Sequence, residues 1–217
     1  MASDNRGSIT AKVTVATAIL FIALLGLLHI LEPEFKPSWR LISEYELGQY
    51  GWLMRAAFFA LALSGFSLIL ALWKNVKRVS GYIGLVFLLI ASIGLAMAGY
   101  FVTDAVNVPR EAWTSHGAMH AWGAVMMIPT APLLATLLTF ALSRSGVIAA
   151  SRKRWLWMAT AAIWASFLAF SISGGTRTDG AQSASDWYGW PNRTFILSYA
   201  TWLALAGWIM LRKAKNR

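Results

Sequence analysis

The sequence predicts an all-α fold. It reads as a polytopic membrane protein, a six-transmembrane-helix bundle forming one domain over residues 1–217, with both termini in the cytoplasm. Three observations carry this. Of 217 residues, 58% are hydrophobic and 13% charged, where a soluble domain has about 25% charged residues. The apolar residues fall in runs that reach the roughly 20 residues an α-helix needs to cross about 30 Å of hydrocarbon. The Lys and Arg residues crowd into alternate connections between those runs.

Each span has its own justification. The first, Val13–Leu31, follows the polar stretch MASDNRGSITAK and has no small-residue cleavage site, so it reads as a retained helix and not a removed signal peptide. The second, Leu53–Trp73, and the third, Gly81–Val102, are joined by a short basic link. The fourth, His116–Leu142, contains IPTAP, and Pro129 and Pro132 near mid-membrane predict a kink that opens a cavity below its histidines. The fifth is Trp155–Ser173 and the sixth Thr194–Leu211.

Charge sets the expected orientation. The two termini and the links after the second and fourth spans hold thirteen of the nineteen Lys and Arg, with Asp4 as their one acid. The other three connections are longer, aromatic and mixed in charge. The positive-inside rule puts the basic set in the cytoplasm. The net charge of +10 then reads as topology plus attraction to anionic lipid headgroups. No basic-aromatic groove pattern points to nucleic acid. With no cysteine, disulfides, thiolate nucleophiles and cysteine-ligated metals are excluded.

One word occurs twice, as YGWLMR at Tyr50–Arg55 and YGWPNR at Tyr188–Arg193, each where the chain re-enters the membrane from the outer side. Tyr and Trp suit the interface, Gly permits a turn, Pro191 suits a first helical turn, and Arg can snorkel. The two copies therefore read as aromatic anchors, or as a frame for a site at which Arg55 and Arg193 face inward and bind an anionic group. Arg55 lies inside an apolar run, where a lipid-facing charge is costly. This predicts that it pairs with an outer acid, Glu44 or Asp104.

All three histidines lie toward the same side. His29 ends the first span, and His116 and His120 open the fourth at i, i+4, on one helical face. Three readings stay open for them: hydrogen-bonding residues at the interface; a Zn²⁺ ion held by His29, His116 and His120; or a haem held by His29 and one histidine of the fourth span. In the zinc reading, Asp104 or Glu44 is the base or orients an imidazole, with Ser43 beside Glu44, and the metal polarises a carbonyl of a lipid-like substrate. The loop Gly174–Arg193 begins Gly/Ser-rich and ends aromatic, which predicts a mobile first half and a docked second half over the outer pocket.

Several of these words occur together in one known family. The HILEP end of the first span, ISEYELGQYGWLMR, the acid Asp104 after the third span, HGAMH opening the fourth, and the aromatic-Gly-Arg start of the last resemble an uncharacterised bacterial six-helix membrane family, DUF998. A typical member has Phe-Pro-x-Asp after the third helix, and here Val102 replaces the proline while Asp104 is kept. The resemblance implies the architecture and a bacterial cytoplasmic membrane, and no reaction. There is a fainter similarity to the alkaline ceramidase and progestin-receptor-like membrane hydrolases, which combine Ser, Asp and three His around zinc. Those have seven spans, and their HxxxH pair lies on the last.

The functional expectation is a polar pocket on the outer side. It serves either a metal-assisted hydrolase or transferase acting on a lipid-like substrate, or a non-catalytic ligand-binding or accessory subunit that meets other membrane subunits through Trp-rich faces; a haem-binding electron carrier is the remaining alternative. The charge distribution makes a direct prediction. Reporter fusions at either terminus will show activity on the cytoplasmic side, and a terminus found outside overturns the orientation.

Overall fold

The fold was analysed in a computed structural model, which describes residues 2–146, 148–174 and 187–215. Among the described residues, seven α-helices make six membrane-crossing units. They are α1 (Ala2–Leu31), α2 (Gly51–Leu72), α3 (Val79–Tyr100), α4 (Ser115–Met127), α5 (Thr130–Ser143), α6 (Ala150–Gly174) and α7 (Gly189–Lys215). All six units are long and apolar enough to cross a bilayer, α4 and α5 together forming the fourth. The protein is an all-helical, multi-pass integral membrane protein.

The helices close into a ring. α1 packs on α2 and α7, α2 on α3, α3 on both α4 and α5, α5 on α6, and α6 on α7. α2 also touches α7 across the ring. Association inside a bilayer draws on close packing and interhelical hydrogen bonds, because lipid tails are as apolar as leucine. Both occur here. The Ser64 hydroxyl on α2 donates to the Thr14 carbonyl on α1 at 2.9 Å. Thr139 on α5 and Thr160 on α6 share a hydrogen bond of 2.9 Å, and the Trp202 indole on α7 donates to the Thr139 hydroxyl at 3.2 Å. α3 and α4 cross at Gly94 and Gly123, where a Cβ on either glycine would overlap the other's carbonyl oxygen.

The fourth span breaks at Ile128–Pro129, as the prolines predict. Two prolines in four residues remove backbone donors from the ladder. The Thr130 hydroxyl donates to the freed region, reaching the Met126 carbonyl at 2.6 Å and that of Met127 at 3.0 Å. Two carbonyls next to the break thus gain a side-chain donor within the helix. Beyond the break, α5 packs on α3 and also on α6, whereas α4 packs mainly on α3.

The connections on the face opposite the termini, here the distal face, carry the remaining structure. The α1–α2 connection contains a 3₁₀ turn, Ile42–Leu47, and the α3–α4 connection a shorter one, Arg110–Ala112. The predicted mobile first half of the α6–α7 loop, including Asp179 and Asp186, lies outside the described residues. Of its second half, Tyr188 stacks on Phe170 with ring centroids 4.8 Å apart. α1 and α7 are longer than the sequence runs suggest. The polar N-terminal stretch continues the first helix, and α7 starts at Gly189, five residues before the expected Thr194, because Pro191 sits within its first turn.

The repeated YGW word has a packing reason. Each glycine opens a helix against which the α1–α2 connection passes at close range. A Cβ on Gly51 would overlap the Glu46 carbonyl, and one on Gly189 would overlap the carbonyls of Pro37 and Arg40. The Trp that follows each glycine is exposed to the surroundings, Trp52 at 65% and Trp190 at 43%. The word thus places a backbone crossing and an interfacial ring side by side. Gly189→Val is expected to cost about 1–3 kcal/mol through overpacking, read as a lowered thermal midpoint in detergent. Gly26→Ala, whose Cβ would meet nothing within 4 Å, is expected to leave the midpoint unchanged or raise it.

Candidate functional site

The polar residues of the distal face separate into two neighbouring assemblies. The first surrounds Arg193, which is only 2% exposed. Its Nε donates to His29 Nε2 at 2.9 Å, and its guanidinium also donates to the carbonyls of Arg40, Gly189 (3.2 Å) and Pro37 (3.4 Å), and to the Tyr45 hydroxyl at 3.4 Å. His29 Nδ1–H donates to the Leu25 carbonyl at 2.7 Å. That bond leaves Nε2 as the lone-pair nitrogen that accepts from Arg193. Arg193 therefore joins α1, the α1–α2 connection and α7, and both nitrogens of His29 are used.

The second assembly is acidic and surrounds His120. Glu44, fully buried, pairs with Arg40 and accepts backbone N–H bonds from Leu41 and Val106, each at 2.9 Å. It clamps the 3₁₀ turn to the α3–α4 connection. Asp104 accepts from Thr114 N at 2.7 Å and from the Thr114 hydroxyl at 3.0 Å, beside the start of α4, where the helix dipole favours an anion. Thr114 itself caps α4 by accepting from Gly117 N at 3.0 Å. Glu46 is buried against α3 and α4. Its Oε2 accepts from Thr103 N at 2.9 Å and lies 3.5 Å from His120 Nδ1, and its Oε1 has no hydrogen-bond partner among the described residues.

Burial pushes the Glu46 carboxyl up to about 8, although the Thr103 N–H and the nearby Arg55 charge act in the opposite sense. The His120 ring donates from Nδ1 to the Phe101 carbonyl at 2.9 Å. The ring is also within reach of the Ala98 backbone carbonyl.

His120 also lines a cavity of about 340 Å³. Leu41, Ile42 and Ser43 border it from the α1–α2 connection, and Thr103, Asp104, Arg110 and Trp113 border it from the α3–α4 connection. Ala121, Ala124, Met127 and Ile128 line it along α4, and Phe170, Phe195 and Ile196 face them from α6 and α7. The cavity therefore runs from a polar rim at the distal connections to an apolar floor at the α4–α5 break. It lies beside α4, which packs on α3, whereas α5 beyond the break packs on both α3 and α6; this fits the kink-opened cavity that IPTAP predicts.

The expected site residues are distributed as follows. Ser43, Asp104 and His120 line the cavity. Glu44 backs it as a clamp. His116 is on the same side as His120 but exposed, edge-on to the Phe101 ring at 5.5 Å. His29 and Arg193 form the separate assembly. Arg55 donates from Nε to the Gly99 carbonyl at 3.1 Å, and the acid its charge acts on is Glu46, not the expected Glu44 or Asp104. The reason is register. Arg55 and Glu46 flank the tight Gly51 crossing, while Glu44 already holds Arg40 and Asp104 holds Thr114.

Among the described residues no three His, Asp or Glu side chains are grouped as a metal site. The donors do not fit the expected Zn²⁺ ion, nor a haem iron, because His29 is common to both readings. Its Nε2 lone pair is taken by a guanidinium, and that cation would repel a metal ion at the same place. Two lining residues and one behind the lining were not singled out from the sequence: Arg110 at the rim; Asn192, whose Oδ1 accepts from Ile42 N at 3.1 Å; and Glu46 behind His120. The position of Asn192 within the second YGW word was the available signal.

A family model described as a protein of unknown function (DUF998) matches residues 15–209. The chain belongs to the DUF998 family. No curated protein and no solved structure matches this DUF998 protein, so the fainter similarity to alkaline ceramidase and progestin-receptor-like hydrolases has no support.

Glu46 makes pH a probe of the site. Between the ordinary carboxyl value of 4.5 and about 8, the folded protein holds a proton on Glu46 that the unfolded chain releases. This contribution to stability is complete below the unfolded value, falls as pH rises through the window, and is gone above it. Glu46→Gln is expected to flatten the decline in thermal midpoint between about pH 5 and about pH 8.5. An unchanged slope would mean that Glu46 is charged in the folded protein.

Proposed function

We infer that this membrane protein binds a lipid-like amphiphile in the distal cavity, acting as a ligand-binding component of a bacterial cytoplasmic membrane with the cavity on the outer side. The supporting observation is the gradient within one cavity, from the polar side chains of Ser43, Thr103, His120 and Asn192, past the Phe195 ring, to an apolar floor of Met127 and Ile128. A site with a polar end at interfacial depth and an apolar end near mid-membrane matches the profile of a lipid. Pockets of a few hundred Å³ with mostly apolar linings and few polar groups are typical of small-ligand sites.

One observation favours a catalytic use of the same cavity. Ser43 and His120 both line it. That pairing matches a nucleophile and a base. If the protein turns over its ligand, Ser43→Ala abolishes turnover and keeps binding.

Ala124→Trp fills the cavity from α4. It is expected to weaken capture of a photoactivatable sixteen-carbon fatty alcohol by at least about tenfold, a loss of roughly 1.4 kcal/mol. In the wild-type protein the crosslinks will map by mass spectrometry to Met127, Ile128 and Phe195. Crosslinks spread evenly over the outer helix faces, unchanged by Ala124→Trp, would remove the cavity from the function.

A further inference from the structure

We propose that the ligand carries an anionic oxygen group, a carboxylate or a phosphate ester, on its apolar chain, and that Arg110 at the rim binds that group. The proposal rests on the reading that the cavity holds a lipid-like chain. Asp104 and Arg110 are the acidic and basic side chains on the described lining, and they are not equivalent. The Asp104 carboxylate is spent on the Thr114 N–H and hydroxyl at the start of α4. Arg110 has no carboxylate within 4.0 Å among the described residues. Its guanidinium instead lies 5.7 Å from the centroid of the Trp113 ring.

That ring is itself held. The Trp113 indole N–H donates to the Val108 carbonyl at 3.2 Å, which fixes it within the connection that carries the 3₁₀ turn Arg110–Ala112. Arg110 thus rests beside a fixed aromatic surface, and among the described residues its N–H groups have no hydrogen-bond acceptor. A guanidinium presents a planar fork of donors that matches carboxylate and phosphate oxygens. The adjacent polar lining complements this. His120 offers its imidazole and Ser43 a hydroxyl on the same lining, so both can meet headgroup oxygens. The apolar floor then takes the chain. A neutral amphiphile would leave Arg110 unused, and a free anion would leave the floor unused.

The test is equilibrium binding of radiolabelled oleate to the full chain in phosphatidylcholine nanodiscs. Oleyl alcohol and inorganic phosphate serve as competitors. Saturable oleate binding is expected, weakened about tenfold by Arg110→Gln and largely retained by Arg110→Lys. Oleyl alcohol should compete about tenfold less well than oleate against the wild type, and equally well against Arg110→Gln. Inorganic phosphate alone should not displace oleate.

If Arg110→Gln binds oleate like the wild type, or if oleyl alcohol competes as well as oleate, the headgroup assignment is overturned. The cavity reading then still stands, provided that Ala124→Trp removes binding. Displacement by inorganic phosphate as effective as by oleate would overturn the chain requirement. Oleate affinity unchanged by Ala124→Trp, and by the second filling variant Ala121→Phe, would overturn the cavity reading and this proposal together.

Discussion

Arg193 brings a permanent charge into a nearly closed space at the distal end of the bundle. The cost of removing a guanidinium from water is several kcal/mol unless its donors are satisfied. Here they are shared among the carbonyls of Arg40, Gly189 and Pro37, the Tyr45 hydroxyl and His29 Nε2. Those acceptors belong to three separate parts of the chain. Satisfying one side chain therefore fixes where α1 ends, how the α1–α2 connection folds over the bundle, and where α7 begins. The close passage at Gly189 follows, because the carbonyls that accept from Arg193 must come within reach of the first turn of α7.

Once that connection is fixed, the acids it carries are fixed with it. The 3₁₀ turn Ile42–Leu47 points Glu44 toward Arg40 and the Val106 N–H, and Glu46 toward Thr103 and His120. Both acids hold the α3–α4 connection through backbone N–H groups, and that connection forms the cavity rim. The floor has an independent cause in the proline break of the fourth span. The cavity thus arises where two constraints meet: a polar network that holds the loops above it, and a helix that cannot continue straight below it.

Much of this architecture was legible in the sequence because transmembrane helices are local features. Run length and composition located all six spans, and Pro129 with Pro132 located the break. The long connections, with their acids and aromatic residues, marked the face that bears the site. Side-chain partners were less legible because they depend on register between distant segments. His29, His116 and His120 share a depth, which sequence can indicate. Sequence cannot indicate that His29 turns toward α7 while His120 turns toward α3. Arg55 shows the same limit. Its burial follows from its place in an apolar run, but the choice of Glu46 over Glu44 depends on which carboxylate is already engaged. Glu44 and Glu46 are two residues apart in one turn and have opposite fates, one fully bonded and the other with an oxygen left bare.

The two YGW words show how far identical local chemistry can diverge. In both, glycine admits the same connection at a helix start, and tryptophan projects outward. The arginine four residues after the glycine returns to the same helical face, one turn deeper. At α7 that face looks onto the folded connection, so Arg193 meets backbone carbonyls and is sealed in. At α2 it looks onto α3, where close contact at Gly99 offers one carbonyl, and Arg55 remains half-buried with its charge felt by Glu46. The first arginine organises the loop. The second adds a charge near the carboxyl behind His120, whose surroundings are governed chiefly by burial. Of the two words only the second lines the cavity, through Tyr188 and Asn192, and the difference between their roles lies in the neighbouring helix, not in the word.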